Sequence, residues 1–233
     1  MAAAIHFRNA VALSGRFPAL SGVDVEVDPG EVVLVEGPNG AGKTSLLRAC
    51  AGLLAVVDGE AEVLGHNLRS DRRSIRRKVG MLGHASFLYD DLSVIENLVF
   101  ALRAARLPVG GLRPVMDRLG LGGRLADTRV GSLSAGQRRR VALAVLVARA
   151  PVLWLLDEPH AGLDESGRDI LDELVHEAVD GGATVMLASH EPDRAGALAH
   201  RVVRMAGGCV VGLSVPGPRL AVPGPRLGQV HVA

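Results

Sequence analysis

Lysine is almost absent from this chain. Of 26 basic residues only Lys43 and Lys78 are lysine, and the other 24 are arginine. An excess of charge of one sign is also missing, with 26 basic residues set against 25 acidic ones. That balance excludes a general nucleic-acid binder, which needs a basic surface. No uninterrupted apolar run reaches the length of a membrane span. The best candidate, VALAVLVARAPVLWLL, is broken by Arg149 and Pro151. The start, MAAAIHFRNA, has neither the charged nor the apolar region of a signal peptide. Cysteine is limited to Cys50 and Cys209, too far apart for a metal-ligand pair, and both read as free thiols in a reducing compartment. The expectation is a cytosolic chain that can sit on a membrane. Its 233 residues, 48% hydrophobic, suit one α/β domain or one domain plus a small subdomain.

One of the two lysines lies in a glycine-rich stretch. GPNGAGKT, residues 37–44, fits the pattern G-x-x-x-x-G-K-[ST], between the apolar run EVVLVE and the helical pattern SLLRACAGLL. That strand–loop–helix context is the one a phosphate-binding loop needs. Gly37, Gly40 and Gly42 let the backbone curl around phosphate oxygens, across Pro38, Asn39 and Ala41. The helix starting near Ser45 adds its positive end. A compact ammonium fits between phosphate oxygens where a planar guanidinium does not, so Lys43 is expected to bridge the β- and γ-phosphates. The Thr44 hydroxyl is expected to ligate Mg²⁺.

The rest of the chain alternates strands with helices. Val23, Val25 and Val27 alternate with Asp24, Glu26 and Asp28, a half-buried antiparallel pattern. VGML (79–82), VLWLL (152–156) and TVMLAS (184–189) read as buried strands, with a helix around 166–180. Residues 90–150 read as helical, and VVRM with CVV forms a hairpin across Gly207-Gly208. The fold class is therefore α/β: an open, mostly parallel sheet with an antiparallel β layer and a helical insertion. One domain is expected over 1–214, with a helical subdomain at about 84–150. VPGPRL occurs at 215–220 and again at 222–227 and predicts an extended tail over 215–233.

Asp157 and Glu158 leave the strand VLWLL at its C-terminal end, where ligands bind in such sheets. Asp157 suits Mg²⁺ and Glu158 suits the attacking water. The bland alternative is an acidic pair opening a turn. His190 leaves its own strand at the same edge and is either structural or a γ-phosphate contact.

A second phosphate-type feature lies about ninety residues further on. LSAGQRRRVALA carries a capping box, Ser134-Ala135-Gly136-Gln137, in which Ser134 and Gln137 exchange hydrogen bonds. A glycine in a first helical turn is costly and packs nothing, and it makes sense where an anion must approach the backbone. One small domain with two such sites needs an explanation.

Together these motifs resemble the nucleotide-binding subunit of ABC transporters over about residues 5–213. GPNGAGKT resembles its Walker A motif, LSAGQ its signature, VLWLLDEP its Walker B motif, AGLD (161–164) its D-loop with Asp164, and His190 its switch histidine. The resemblance implies two domains head to tail, each ATP held between one P-loop and the other copy's signature. The second site would then serve the neighbour's ATP. It also implies ATP and Mg²⁺ as cofactors, integral membrane subunits as partners, a homodimer or a pairing with a related ATPase, and the cytoplasmic face of the inner or plasma membrane. No nucleic-acid partner is expected. His84 stands where most members carry a glutamine that senses Mg²⁺, with a plain loop histidine as the other reading. LSAGQ, RRRVALA, WLLDEP and GGATVMLASHEP also resemble the ATPase of the haem exporter of cytochrome c biogenesis. An exporter of drugs, lipids or polysaccharides is the alternative. A soluble ABC-type ATPase on DNA or ribosomes lacks the coiled-coil heptads or second domain it would need, and an unrelated P-loop kinase leaves LSAGQ unexplained.

Four features stay open. Ser14 occupies the place of the family's adenine-stacking aromatic, with Phe17 nearby. DRRSIRRK (71–78) is either a solvated face or a contact for headgroups or an acidic partner. Segment 85–103 is helical-subdomain core, the lining of a groove for a membrane-subunit helix, or both. Arg138, Arg139 and Arg140 sit near a helix start, where acids are preferred, pointing to phosphate proximity or pairing across subunits.

Overall fold

The structure, a computed structural model, describes residues 2–84 and 86–214, so the repeated VPGPRL segments lie outside the described residues. The chain opens with β1 (Ile5–Ser14) and β2 (Phe17–Val27), paired antiparallel. As the alternation requires, Val23, Val25 and Val27 are buried while Asp24 and Glu26 face solvent. β3 (Val32–Glu36) leads into the glycine-rich loop and then α1 (Lys43–Cys50). α1 is shorter than SLLRACAGLL implied. Its last carbonyls take up the amides of Gly52, Leu53 and Leu54, which turn the chain instead of extending the helix.

β4 (Val56–Val63) and β5 (His66–Asn67) follow and complete a four-stranded antiparallel sheet in the order β2-β1-β4-β5. Neither was foreseen. VVDGEAEV buries only Val56, Ala61 and Val63 fully, too sparse an apolar pattern to announce a strand. α2 (Leu68–Asp71), one turn capped by Asn67, and a 3₁₀ turn (Ser74–Arg77) lead to β6 (Val79–Leu82). Then come α3 (Val94–Ala104), α4 (Leu112–Arg118) and α5 (Ala135–Arg149), all within the stretch read as helical. The chain finishes with β7 (Leu153–Asp157), α6 (Glu165–Asp180), β8 (Thr184–Ala188), α7 (Pro192–Leu198), β9 (Arg201–Ala206) and β10 (Cys209–Ser214).

The main sheet runs β10-β9-β3-β8-β7-β6 and is parallel except for β10, which closes the expected hairpin. Strand alternation sorts its side chains into two cores. Val33, Val35, Leu153, Leu155 and Met186 pack with α1 and the antiparallel sheet. Leu34, Trp154, Leu156, Val185 and Leu187 pack with α3, α5 and α6. Burial on both faces fixes the register, with Val35 beside Ala188 and Asp157 beside Ala188. The C-terminal ends of β3, β7 and β8 therefore emerge side by side, and all three carry motif residues.

Candidate active site

The loop between β3 and α1 is shaped by close approach. Gly37 has φ +149°, and a Cβ there would lie 2.2 Å from the Met205 carbonyl oxygen. Only glycine fits. Gly42, the N-cap of α1, offers no side-chain oxygen to the first-turn amides, which leaves the positive end of the helix open to an anion. Lys43 is buried, and its Nζ donates to the carbonyls of Gly37 at 2.6 Å and Pro38 at 3.2 Å. The ammonium is thus held over the loop that would cradle phosphate.

The carboxylates of β7 meet this loop. Thr44 Oγ1 donates to Asp157 Oδ2 at 2.8 Å, so the hydroxyl that opens α1 and the carboxylate that ends β7 touch. Glu158, one residue on, has φ +47°, a left-handed conformation uncommon for a side-chain-bearing residue. Its amide donates to Ala188 O at 2.8 Å, and its Oε2 accepts from the His190 amide at 3.0 Å. His190 Nε2 lies 3.3 Å from Glu158 Oε1. A cavity of about 550 Å³ collects residues 39–45 of the loop together with His84, Asp157, Glu158 and His190. His84 therefore shares the cavity with the phosphate loop. Pro18 and Ala19 form part of the wall, and Phe17 beside them is 78% exposed. Ser14 pairs with Phe17 across the β1–β2 turn.

The signature residues 134–137 do not line this cavity. Ser134 caps α5 with both arms of the capping box formed: Gln137 N–H to Ser134 Oγ at 3.2 Å, and Ser134 N–H to Gln137 Oε1 at 3.0 Å. Ser134 and Ala135 are exposed. The reading that Gly136 packs nothing is corrected, since a Cβ there would come within 3.0 Å of the Gly162 carbonyl in the D-loop segment. Asp164 caps α6 and takes a hydrogen bond from Arg140 at 2.5 Å. That guanidinium holds the Asp164 carboxyl below its usual range.

The three arginines after the signature all find partners within the chain. They begin beyond the first turn of α5, which is why the helix start does not disfavour them. Arg138 pairs with Asp90 at 2.9 Å and donates to Gly131 O at 2.8 Å. Arg139 donates to the carbonyls of Gly83 at 2.6 Å, Glu158 at 2.5 Å and Asp157 at 3.2 Å. Its burial pushes the guanidinium's pKa down. No sequence signal announces such contacts, because they join residues 18 to 56 positions apart. His160 was also missed; it is buried, 2.7 Å from Asp172, which Arg194 holds from the other side.

A second, larger cavity of about 810 Å³ lies between the 3₁₀ turn, β6, α3 and α5. Arg73, Arg76 and Arg77 of the basic stretch border it, and Phe87, Tyr89 and Phe100 line it. The core reading of segment 85–103 holds for Val94, Leu98 and Leu102, which are buried, while Phe87, Tyr89 and Phe100 are exposed. The edge-to-face pair Tyr89–Phe100, 4.7 Å apart, is positioned by Asn97, which bonds both backbone groups of Tyr89. His84 lines the first cavity and Ser86 the second. No described helix is long and apolar enough to cross a membrane.

The family model described as ABC transporter matches residues 20–161. A cytochrome c biogenesis ATP-binding export protein of Cupriavidus metallidurans is 38% identical over 179 residues, covering 76% of this chain and 84% of the relative. One from Xanthomonas campestris is 43% identical over 178 residues, covering 74% and 80%. Among solved structures, an ATP-binding subunit of an ABC transporter superposes with a TM-score of 0.84 at 25% identity, covering 91% of this chain and 89% of the other. A dimeric bacterial ABC transporter cassette gives 0.80 at 25% identity, covering 92% and 100%. With the match spanning more than half its length, the chain belongs to the ABC transporter family, as an ATP-binding, ATP-hydrolysing subunit.

Proposed function

We propose that this chain is the ATPase of the haem exporter, or haem-chaperone release complex, of cytochrome c maturation. It would work as a dimer, bound to integral membrane subunits on the cytoplasmic face of the inner or plasma membrane. The observation that carries the reading is the 36–43% identity, over about three quarters of the chain, to proteins named for ATP-driven export in cytochrome c biogenesis.

In this reading Lys43, the amides of residues 39–45 and the start of α1 grip the β- and γ-phosphates. Thr44 Oγ1 and Asp157 Oδ2 are hard oxygen donors in contact, a set that fits Mg²⁺ with phosphate oxygens and water completing its shell. The ion, when bound, would neutralise charge on the phosphates. Glu158 orients the attacking water and accepts its proton as the water oxygen bonds to the γ-phosphorus. The bond to the bridging oxygen breaks, and ADP leaves with that oxygen. His190 sits beside Glu158 to meet the γ-phosphate.

Ser134 and Gly136 lie outside this cavity, so they are assigned to the ATP of a second copy. Loss of the γ-phosphate then removes binding that favours the closed dimer. The cavity bordered by Arg73, Arg76 and Arg77 is assigned to a cytoplasmic helix of the membrane subunit. The test is to purify the full-length Glu158→Gln protein with ATP from native membranes. Turnover should fall steeply, and small membrane subunits with a haem absorbance band should co-purify. A different permease without haem would replace the cargo and leave the ATPase intact.

A further inference from the structure

We propose that Arg139 is a positioning residue for Glu158, fixing from the signature helix the backbone that aims this carboxylate. The inference rests on the assignment of Glu158 to the attacking water. Glu158 occupies a left-handed conformation, φ +47°, that must be held by its surroundings. From one side the Glu158 amide is fixed by Ala188 O at 2.8 Å. From the other, Arg139 Nη2 donates to the Glu158 carbonyl at 2.5 Å and to the Asp157 carbonyl at 3.2 Å.

The same guanidinium donates through Nη1 to Gly83 O at 2.6 Å, next to His84. One planar guanidinium thus meets four carbonyls at the ends of two neighbouring strands, β6 and β7: those of Gly83, Asp157 and Glu158 and, through Nε at 3.4 Å, that of Pro159. A lysine ammonium has the charge but not this fixed spread of donors. Side chains of the active-site cavity do not touch Arg139 in any hydrogen bond; all its acceptors are main-chain oxygens. It therefore acts on the chemistry through Glu158. With that support removed, the 157–159 turn can relax toward ordinary backbone angles and swing the carboxylate away from the water.

The experiment is a double-mutant cycle on ATP turnover in the full-length, membrane-subunit-bound complex, using Arg139→Gln, Glu158→Gln and the pair. Arg139→Gln alone is expected to lower kcat about 10- to 100-fold, the scale of a misplaced catalytic group, with the KM for ATP changed less than about threefold. In the Glu158→Gln background it should lower the residual rate by less than about twofold, because the group it positions is already gone. Arg139→Lys, which keeps the charge and guards against simple misfolding, should lie between wild type and Arg139→Gln. A further loss in the double variant as large as that in wild type would overturn the proposal, as would a defect confined to KM. Near-normal turnover by Glu158→Gln alone would instead reject the role of Glu158 itself, so the two failures are distinguishable.

Discussion

Glycine should be a better residue than alanine at position 158 for stability, though both are expected to abolish turnover. Glu158 has φ +47°. A residue with a Cβ pays about 1–2 kcal/mol in that region, and glycine pays nothing. Glycine's freer unfolded chain takes back about 0.4–1 kcal/mol. Both substitutions delete the same contacts, the hydrogen bond from the His190 amide to Oε2 and the approach of Nε2 to Oε1, so these cancel in the comparison. The difference left is about 0.8 kcal/mol in favour of glycine. For a chain of this size that corresponds to a Tm about 2–3 °C higher. His176, exposed in the middle of α6, is the control: there alanine should exceed glycine by about 1 kcal/mol, the usual helical order. Urea and thermal unfolding of the four variants measure both differences. Alanine equal to or better than glycine at 158 would mean that the turn carries no backbone strain, and the case for a brace on it would go as well.

Ser134→Arg should abolish turnover by the dimer while the single chain still binds ATP, at a stability loss of about 1 kcal/mol from the lost cap; full activity would sink the shared-site model. Gly37→Ala forces a Cβ to within 2.2 Å of the Met205 carbonyl, so it should cost about 2 kcal/mol or more and weaken nucleotide binding, and wild-type affinity in a binding titration would contradict the loop geometry. Stability should also fall in acid. Burial raises the pKa of Asp172, but hydrogen bonds from His160 and Arg194 outweigh it, and Asp172 lies below the usual range. Arg140 and Arg118 likewise hold down Asp164 and Glu177. The unfolded chain, titrating near about 4, then binds more protons than the folded one. The stabilisation is full above that value and is lost as pH falls below it toward the folded pKa values. Urea midpoints from pH 3 to 6 should show the loss, and Asp172→Asn should flatten it.

The parts of the site that were legible in the sequence are those whose geometry is local. The phosphate loop is set by three glycines and a lysine within eight residues, and the capping box by Ser134 and Gln137 three positions apart. Asp157, Glu158 and His190 could be placed at one sheet edge because their strands are apolar runs, and buried parallel strands end in register. The unread parts depend on distant residues. Gly136 had no evident packing reason until the carbonyl of Gly162 was found against it. β4 escaped notice because only three of its eight residues are buried, with Asp58, Glu60 and Glu62 among the others. Arg138, Arg139 and Arg140 look alike in sequence, yet each reaches a different element.

The use of arginine in this chain follows from what each cation must touch. Arg139 serves several carbonyls at once, Arg118 grips Glu173 and Glu177, and Arg194 joins Glu165, Asp169 and Asp172. Each of these positions needs donors spread over a plane, since its acceptors lie in different directions, and a single ammonium would leave some of them unmet. Lys43 has the opposite requirement. Its acceptors are the Gly37 and Pro38 carbonyls of one tight loop, with the phosphate position beside them, and a guanidinium there would push against the cradle. Arg139→Lys and Lys43→Arg are therefore both damaging, for opposite reasons: the first offers too few donors for the span, and the second too broad a group for the space.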